Sequence, residues 1–512
     1  MQKIWDRIRF FKRFNYLWWV ILLFGIFLRV YLYLLNRSLW QDEASLAMNL
    51  VHRSFGELTQ TLDYHQAAPI GFLFIEKFFV SIFGPYDYVM RIFPVVSGIL
   101  AIYFIFRFAQ RHIGSAGLFA LTISSVAWSL VYYATELKQY SSDVMVLSLM
   151  IFLAGNALKK KTEAKDFFLL GIIGSLVIWI SHPSVFVLAG IGLTLLFEKF
   201  TRKEYVPWIW ILGVGTSWLL SFGLEYFVSL RHIVADGYMI EYWRKAYVPS
   251  PPWTNKAWYI KTFLYFLDFS FNNASPMMAW FTIGLTSLGV LSVSIRNRKI
   301  ALILISPFIF VFIASILERY PIKNRFVLFL IPLVFLLMAE GFYGVYWLFS
   351  KLNRKFSVIL TTSLAFFLVW TIFSPTYTKV FFEKPVDIRP VLKYVADSRK
   401  TNDLVYVFHR TRTVFEYYAP FYGLDTGNVV IGVSAENKER SLESYIDDVT
   451  GFVGKERVWF IFTEVATGCP NCEGEDTQAF YLDYVNESGE LLETFSIAGV
   501  HSANAYLYDM MP

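Results

Sequence analysis

Long apolar runs, broken at near-regular intervals by basic clusters, dominate the chain. Runs of spanning or near-spanning length occupy residues 15–35, 92–108, 114–133, 141–157, 167–181, 184–197, 207–228, 277–295, 300–317, 326–348 and 356–373. A helix needs about 20 mostly apolar residues to cross the hydrocarbon core, so the pattern predicts eleven spans. Alternate connections are basic: Arg107 and Arg111; Lys159, Lys160, Lys161 and Lys165; Lys199, Arg202 and Lys203; Arg296, Arg298 and Lys299; Lys351, Arg354 and Lys355. Together with Lys3, Arg7, Arg9, Lys12 and Arg13 at the N-terminus they hold 20 of the 46 Lys and Arg residues. Only Asp6, Glu163, Asp166, Glu198 and Glu204 of the 40 acids accompany them, so the inner side carries +15 and the rest of the chain −9. Cytoplasmic loops carry the excess of Lys and Arg, which puts the N-terminus in the cytoplasm. The first run is long and no small-residue cleavage site follows it, so it reads as an uncleaved span.

That parity requires 69–83 not to span. The segment is apolar but short, contains Glu76 and Lys77, and ends in Gly84-Pro85; it reads as a helix lying in the outer leaflet. Residues 255–271, with Lys256, Lys261 and Asp268 along an aromatic stretch after the Pro249–Pro252 break, read the same way. The outer segments are then 36–91, 134–140, a turn at His182-Pro183, 229–276, 318–325 and a tail from 374.

The tail alternates helical and strand patterns. Helices are expected after Asp387, near Thr413–Ala419 and near Arg440–Val449, with strands at Leu404–Phe408, Val429–Gly432 and Val458–Phe462. This predicts a soluble α/β layer domain over 375–512 behind a membrane domain over 1–374. The tail holds 12 basic and 21 acidic residues, a poor surface for polyanions. At 56% hydrophobic and 17% charged residues, the whole chain is polytopic membrane protein. Its net charge of +6 sits at span ends rather than on one face, which excludes a nucleic-acid partner. Cys469-Pro-Asn-Cys472 is expected to be a local loop disulfide or two idle thiols, because nothing around it suggests a redox-active helix N-terminus.

Directly after the first span stand Asp42 and Glu43 in Leu39-Trp40-Gln41-Asp42-Glu43-Ala44-Ser45. Carboxylates beside lipid are expensive unless they line an aqueous site, although carboxylates also simply favour the first turn of a helix. The other outer loops add Glu136, Lys138 and Tyr140, Arg91 at the head of the second span, His65, His182, and Arg319, Lys323 and Arg325. Taken singly, Arg91, Lys138, His65 and His182 have ordinary structural explanations, such as snorkelling to headgroups or neutralising a neighbour. The set Asp42, Glu136 and Arg325 at one depth has none. A carboxylate can act as general base on an acceptor hydroxyl, and arginine can hold a departing phosphate bidentately. Together they describe sugar transfer from a lipid phosphate, with inversion on direct displacement. No metal or other cofactor is required, and a weakly held Mg²⁺ on the acids stays open.

The ordered set comprising Asp42-Glu43, Arg91-Ile92-Phe93-Pro94, Tyr133-Ala134-Thr135-Glu136-Leu137-Lys138-Gln139-Tyr140, Ser181-His182-Pro183 and Arg325-Phe326 resembles the GT-C glycosyltransferases. Within them it is most similar to the superfamily of dolichyl-phosphate-mannose protein mannosyltransferases and lipid A aminoarabinose transferases, in its prokaryotic form. The likeness covers about residues 1–375. It implies a polyprenyl-monophosphate sugar donor, Asp42 as base, and Arg325, Lys138 and Arg91 as phosphate-binding candidates. Two features depart from the pattern: no outer loop is long enough for the β-trefoil insertion of the eukaryotic enzymes, and His65-Gln66-Ala67-Ala68-Pro69 lacks the double proline common in relatives. The acceptor, whether glycan, lipid or protein, is not implied.

The expected protein is thus a multi-pass enzyme of the plasma membrane, its N-terminus cytoplasmic and its tail external or periplasmic. The alternative is a lipid or polysaccharide transporter or flippase; such proteins usually show repeated halves and helices broken at the midplane, and this chain shows no repeat. The charge pattern makes the topology testable. A reporter active only outside the cell is expected to work when fused after Glu136, after Arg319 or at the C-terminus, and to fail after Lys161 or Arg298; activity after Lys161 rejects the eleven-span reading.

Overall fold

In a computed structural model the structure describes residues 15–159, 163–201, 207–235, 237–272, 275–383, 387–424, 428–432, 443–463, 477–497 and 503–511. The N-terminal basic cluster, Lys160, Lys161, Arg202, Lys203, and Cys469 with Cys472 lie outside the described residues. Two compact units emerge. One comprises 1–35, 53–84 and 88–380; the other comprises 36–52, 85–87 and 381–512. The segment 36–91 that follows the first long helix is therefore shared between them, a division that span counting does not anticipate.

Among the described residues nine helices of the first unit are long and apolar enough to cross a membrane, from Tyr16–Leu34 to Arg354–Phe381. A tenth candidate is the pair Gly117–Val126 and Trp128–Thr135, bent by 60°. The remaining expected span, 167–181, corresponds to the 14-residue helix Ala164–Val177 and a turn at 178–181. Between the long helices and before the tail lie three shorter ones, α1 (Gln41–His52), α2 (Ile70–Phe83) and α3 (Lys256–Phe271). At about 1.5 Å per residue α2 is roughly 21 Å long, short of the hydrocarbon thickness. Its Glu76 is fully buried with no hydrogen-bond partner among the described residues, and burial pushes its carboxyl well above the usual range. The acid that argues against a span from the sequence is thus held neutral inside the unit.

Three buried charges of the long helices illustrate how such groups are met. Arg29 donates to the carbonyls of Gly25 (2.9 Å), Ser125 (3.1 Å) and Ser124 (3.1 Å). The helix breaks at Ala127, whose ψ of 123° is extended, so the last carbonyls before the break lose helical donors and the guanidinium replaces them. Arg296 pairs with Glu340, and Lys299 with Glu198 at 2.5 Å. Two of the basic residues that mark the inner side thus also neutralise acids buried in neighbouring helices.

Helices Pro276–Arg296 and Ile331–Ser350 approach so closely that a Cβ at Gly289 would strike the Leu337 carbonyl, and one at Gly341 that of Leu285. Small residues permit such contact, and packing is what holds helices together where lipid supplies no hydrophobic drive.

The second unit contains a five-stranded sheet: β1 (Leu404–Val407), β2 (Val429–Ile431), β3 (Val458–Thr463), β4 (Glu490–Ile497) and β5 (Ala503–Asp509). The order is β2-β1-β3-β5-β4, with β2, β1 and β3 parallel and β5 antiparallel to both β3 and β4. Strand β3 is buried throughout, as a strand covered on both faces must be. Helices α4 (Arg389–Ser398), α5 (Arg412–Tyr418), α6 (Glu443–Thr450) and α7 (Thr477–Ser488) complete the unit. The six expected elements of the tail are present; α7, β4 and β5 are additional. Asp403 ties the entrance of β1 to β3 by accepting from Arg457 (2.9 and 3.2 Å) and the Trp459 indole (3.1 Å). Burial pushes its carboxyl up, and these bonds outweigh that and hold it below its ordinary range.

The close helix pair yields a stability expectation. Gly289→Leu and Gly341→Leu each force the helices apart and cost about 1–3 kcal/mol or more, whereas Gly344→Ala, where a Cβ meets only ordinary contacts, leaves stability unchanged. Thermal unfolding of the three variants in detergent measures the difference.

Candidate functional site

Asp42 and Glu43 occupy the first turn of α1, in the second unit. Their environments differ sharply. Glu43 is fully buried, pairs with Arg37 at 2.9 Å, and accepts the Trp40 N–H at 3.4 Å, a bond that secures the start of the helix. Asp42 is only half-buried. The pair that looks alike in sequence is therefore divided into a fully buried member, Glu43, and a less buried one, Asp42.

The remaining candidates lie in the first unit. Arg91 is buried at the end of a 3₁₀ turn that leads into the helix Ile92–Phe108. Glu136 (fully buried) and Lys138 (3% exposed) sit in the connection between the bent pair and the helix Tyr140–Ala157, where the Lys138 N–H donates to the Glu136 carbonyl at 2.7 Å. The Lys138 ammonium donates to the Gln66 side chain, and the Gln139 amide to the Ala67 carbonyl at 3.4 Å. Segment 65–69 is thereby laid against 136–139. Its His65 adopts a left-handed φ of 50° and stacks on Tyr238 with centroids 3.8 Å apart. The Arg325 guanidinium stands over the Tyr140 ring at 5.5 Å, and Tyr133 meets Tyr140 edge-on at 5.4 Å. Cation and aromatic faces here attract one another. His182 lies 3.5 Å from buried Glu225, an acid that sequence reasoning passes over because it sits at the end of an apolar span.

Two hollows with common walls lie nearby in sequence. Arg244, Lys245, Lys261 and Lys323, with Tyr247, Asn255 and Asn324, line a cavity of about 590 Å³. Trp258, Thr262, Phe266, Ile322 and Val327 belong both to it and to an apolar groove of about 670 Å³. Helices α3, Pro276–Arg296, Arg298–Ile316 and Ile331–Ser350 wall the groove, presenting Phe263, Ile283, Val290, Phe308, Phe312 and Leu337. The polar rim is pinned in place: the Ile322 N–H donates to the Ala246 carbonyl (2.8 Å), the Val248 N–H to Ser315 (3.0 Å), and the Trp258 indole to the Lys245 carbonyl (3.0 Å). Burial pushes the Tyr247 hydroxyl up, so it remains a proton donor.

Of the cations named as candidates from the sequence, Lys323 lines this cavity, with its ammonium 5.7 Å from the Trp243 ring. Arg325, Lys138 and Arg91 are not among its lining residues, and Arg319 is exposed on the loop before Lys323. Arg244, Lys245 and Lys261 are the residues sequence reasoning missed. The available signal was the cluster of bases around the Pro249–Pro252 break, which reads from sequence only as an interfacial helix.

Comparison with known proteins defines the class first. Residues 67–222 match the family model described as dolichyl-phosphate-mannose-protein mannosyltransferase. That segment contains Arg91, Glu136, Lys138, Tyr140 and His182 but neither Asp42 nor Arg325. The fold is similar to that of ArnT from Cupriavidus metallidurans bound to undecaprenyl phosphate, with a TM-score of 0.52 and 12% identity over 96% of this chain and 98% of that one. It is also similar to the Archaeoglobus fulgidus oligosaccharyltransferase complex with Zn and sulfate, at a TM-score of 0.52 and 14% identity over 96% of this chain and 73% of that one. No curated protein sequence matches the chain. The resemblance carried by the ordered motifs is borne out: the chain is an integral, multi-pass membrane protein with the GT-C fold of the protein mannosyltransferase and ArnT type.

Proposed function

We propose that the protein transfers one sugar from a polyprenyl-phosphate donor to an acceptor at the external membrane face. The observation that carries this reading is a cationic cavity that shares walls with an apolar groove. A lipid monophosphate has the complementary chemistry: an anionic head, singly charged in the sugar-linked donor and up to doubly charged once released, for Arg244, Lys245, Lys261 and Lys323, and an isoprenoid tail for the aromatic and aliphatic walls. The undecaprenyl phosphate bound to the structurally similar ArnT supports the same donor class.

In the proposed reaction an acceptor hydroxyl attacks the anomeric carbon. Its proton passes to the Asp42 carboxylate, the new C–O bond forms, and the bond to the phosphate oxygen breaks, releasing polyprenyl phosphate with the electron pair. Direct displacement inverts the anomeric centre. Asp42 is the base because it is the first-loop aspartate that the resemblance assigns to that role and the less buried member of its pair; Glu43 holds the helix start through Arg37 and Trp40. Glu136, with Lys138, Arg325 and Tyr140, forms a second polar cluster suited to the sugar, where an edge-on tyrosine pair and a guanidinium meet. His65 and His182 orient the loops around it. Sugar and acceptor identity follow from neither cluster, and native lipid extraction with mass spectrometry identifies the donor.

Two expectations test the reading. Combined Lys261→Ala and Lys323→Ala removes two charge-assisted contacts, each worth about 1.5–3 kcal/mol, and lowers the co-purifying polyprenyl-phosphate lipid at least about tenfold. Undiminished lipid in that variant, with loss in Arg325→Lys, puts the phosphate instead on the Tyr140 side.

Asp42→Asn is nearly isosteric but takes no proton, so turnover falls by about 10² to 10⁴ while lipid still co-purifies. Near wild-type turnover in Asp42→Asn, with Glu136→Gln inactive, moves the base to Glu136.

A further inference from the structure

The short segment bearing Asp42 is gripped on both sides by the tail. Arg389, which opens α4, donates from Nη1 to Asp87 Oδ2 at 3.0 Å and from Nη2 to the Asn36 carbonyl, while Asp387 holds its other face at 2.8 and 2.7 Å. The Tyr418 hydroxyl, at the end of α5, donates to the same Asp87 oxygen at 2.7 Å and accepts the Leu39 N–H at 2.7 Å. The Ile388 N–H donates to Ser38 Oγ at 3.3 Å. Beyond Asp42, the Thr413 hydroxyl bonds the Gln41 carbonyl and Ser45 Oγ, both at 3.2 Å. All these groups belong to one compact unit.

The chemistry of this junction argues for registry rather than for mere attachment. A 12-residue helix is marginal alone, so its placement is set by what it packs against. An apolar face would hold it without fixing rotation or slide. A buried ion pair contributes little net stability once desolvation is counted, and its best-attested use is to specify one arrangement. Buried Asp87 and half-buried Arg389 are a pair of this kind, and the bonds around them fix backbone groups at residues 36, 39 and 41. Burial pulls the Arg389 guanidinium down, and Asp387 and Asp87 outweigh it, so the charge is secure at every physiological pH.

We propose that Arg389 and Tyr418, in the tail, are positioning residues that set the Asp42 carboxylate. The proposal rests on the reading of Asp42 as base. The test uses full-length protein in detergent and, as probe, the lipid-linked sugar extracted with the wild type, followed as release of polyprenyl phosphate. Tyr418→Phe lowers kcat about tenfold and Arg389→Gln about a hundredfold, with KM for the lipid and the amount of co-purified lipid unchanged. Ser45→Cys with Thr413→Cys, whose side-chain oxygens stand 3.2 Å apart, places two thiols where a disulfide can bridge α1 to α5. In the Arg389→Gln background, oxidation to that crosslink restores most of kcat and reduction abolishes it again, with the wild type run through the same cycle as control for Cys469 and Cys472. Wild-type kcat in both Tyr418→Phe and Arg389→Gln overturns the proposal, as does a crosslink that forms, shown by peptide mapping, and restores nothing. Asp42→Asn alongside separates the two readings: full turnover there rejects the base assignment, whereas an inactive Asp42→Asn with fully active Tyr418→Phe and Arg389→Gln rejects only the clamp.

Discussion

A charge or a bare carbonyl inside a bilayer costs several kcal/mol unless something polar meets it, and the membrane unit is built around that constraint. Arg29 shows it most plainly. The bend at Ala127 strands the carbonyls of Ser124 and Ser125, and a guanidinium from the first span meets them. The bend in turn delivers the chain to the Glu136–Lys138 connection at the head of the helix beginning at Tyr140. Arg296 with Glu340 and Lys299 with Glu198 apply the same rule on other helices. An arginine in an apolar span is thus a structural partner here, and the groups left for chemistry are those the helix ends and loops hold.

The spans were legible because apolar run length and basic loops are local signals that no tertiary contact overrides. What those signals miss is pairing. Nothing near Glu340 or Glu198 in the sequence announces Arg296 or Lys299, because the partner sits on another helix. The tail divides in the same manner. Strands β1 and β3 were readable as apolar runs between turn signals, whereas β4, with alternating exposed positions at Leu492, Thr494 and Ser496, lacks an apolar run, and β5 is interrupted by Asn504. They are strands because β5 pairs with β3 and β4 pairs with β5.

The candidate site was readable in its acids and less so in its bases. Asp42 stands out because a carboxylate directly after a span is costly, and that cost is local. The cavity cations Arg244, Lys245 and Lys261 do not stand out: a base beside an aromatic stretch looks the same whether it snorkels to lipid or lines a pocket. Only the hydrogen bonds that pin 246–258 to 315–322 distinguish the two. Gln66 and Tyr238 were hidden for the same reason. Their roles toward Lys138 and His65 exist only once distant loops are brought together.

The first external loop shows how such dependence becomes function. Its residues 53–84 fold with the membrane helices and its residues 36–52 and 85–87 with the tail. Neither part has enough apolar sequence of its own to form a core, so each takes its conformation from its host. For 65–69 the host supplies Lys138, Gln139 and Tyr238; for 36–45 it supplies Arg389, Thr413 and Tyr418. A loop stabilised this way has little intrinsic preference to resist, and its geometry is as precise as the two surfaces that hold it. The carboxylate assigned the proton transfer sits on the portion held by the tail. The soluble domain is therefore coupled to the proposed chemistry by the shortest route available in the chain, through the backbone on either side of Asp42.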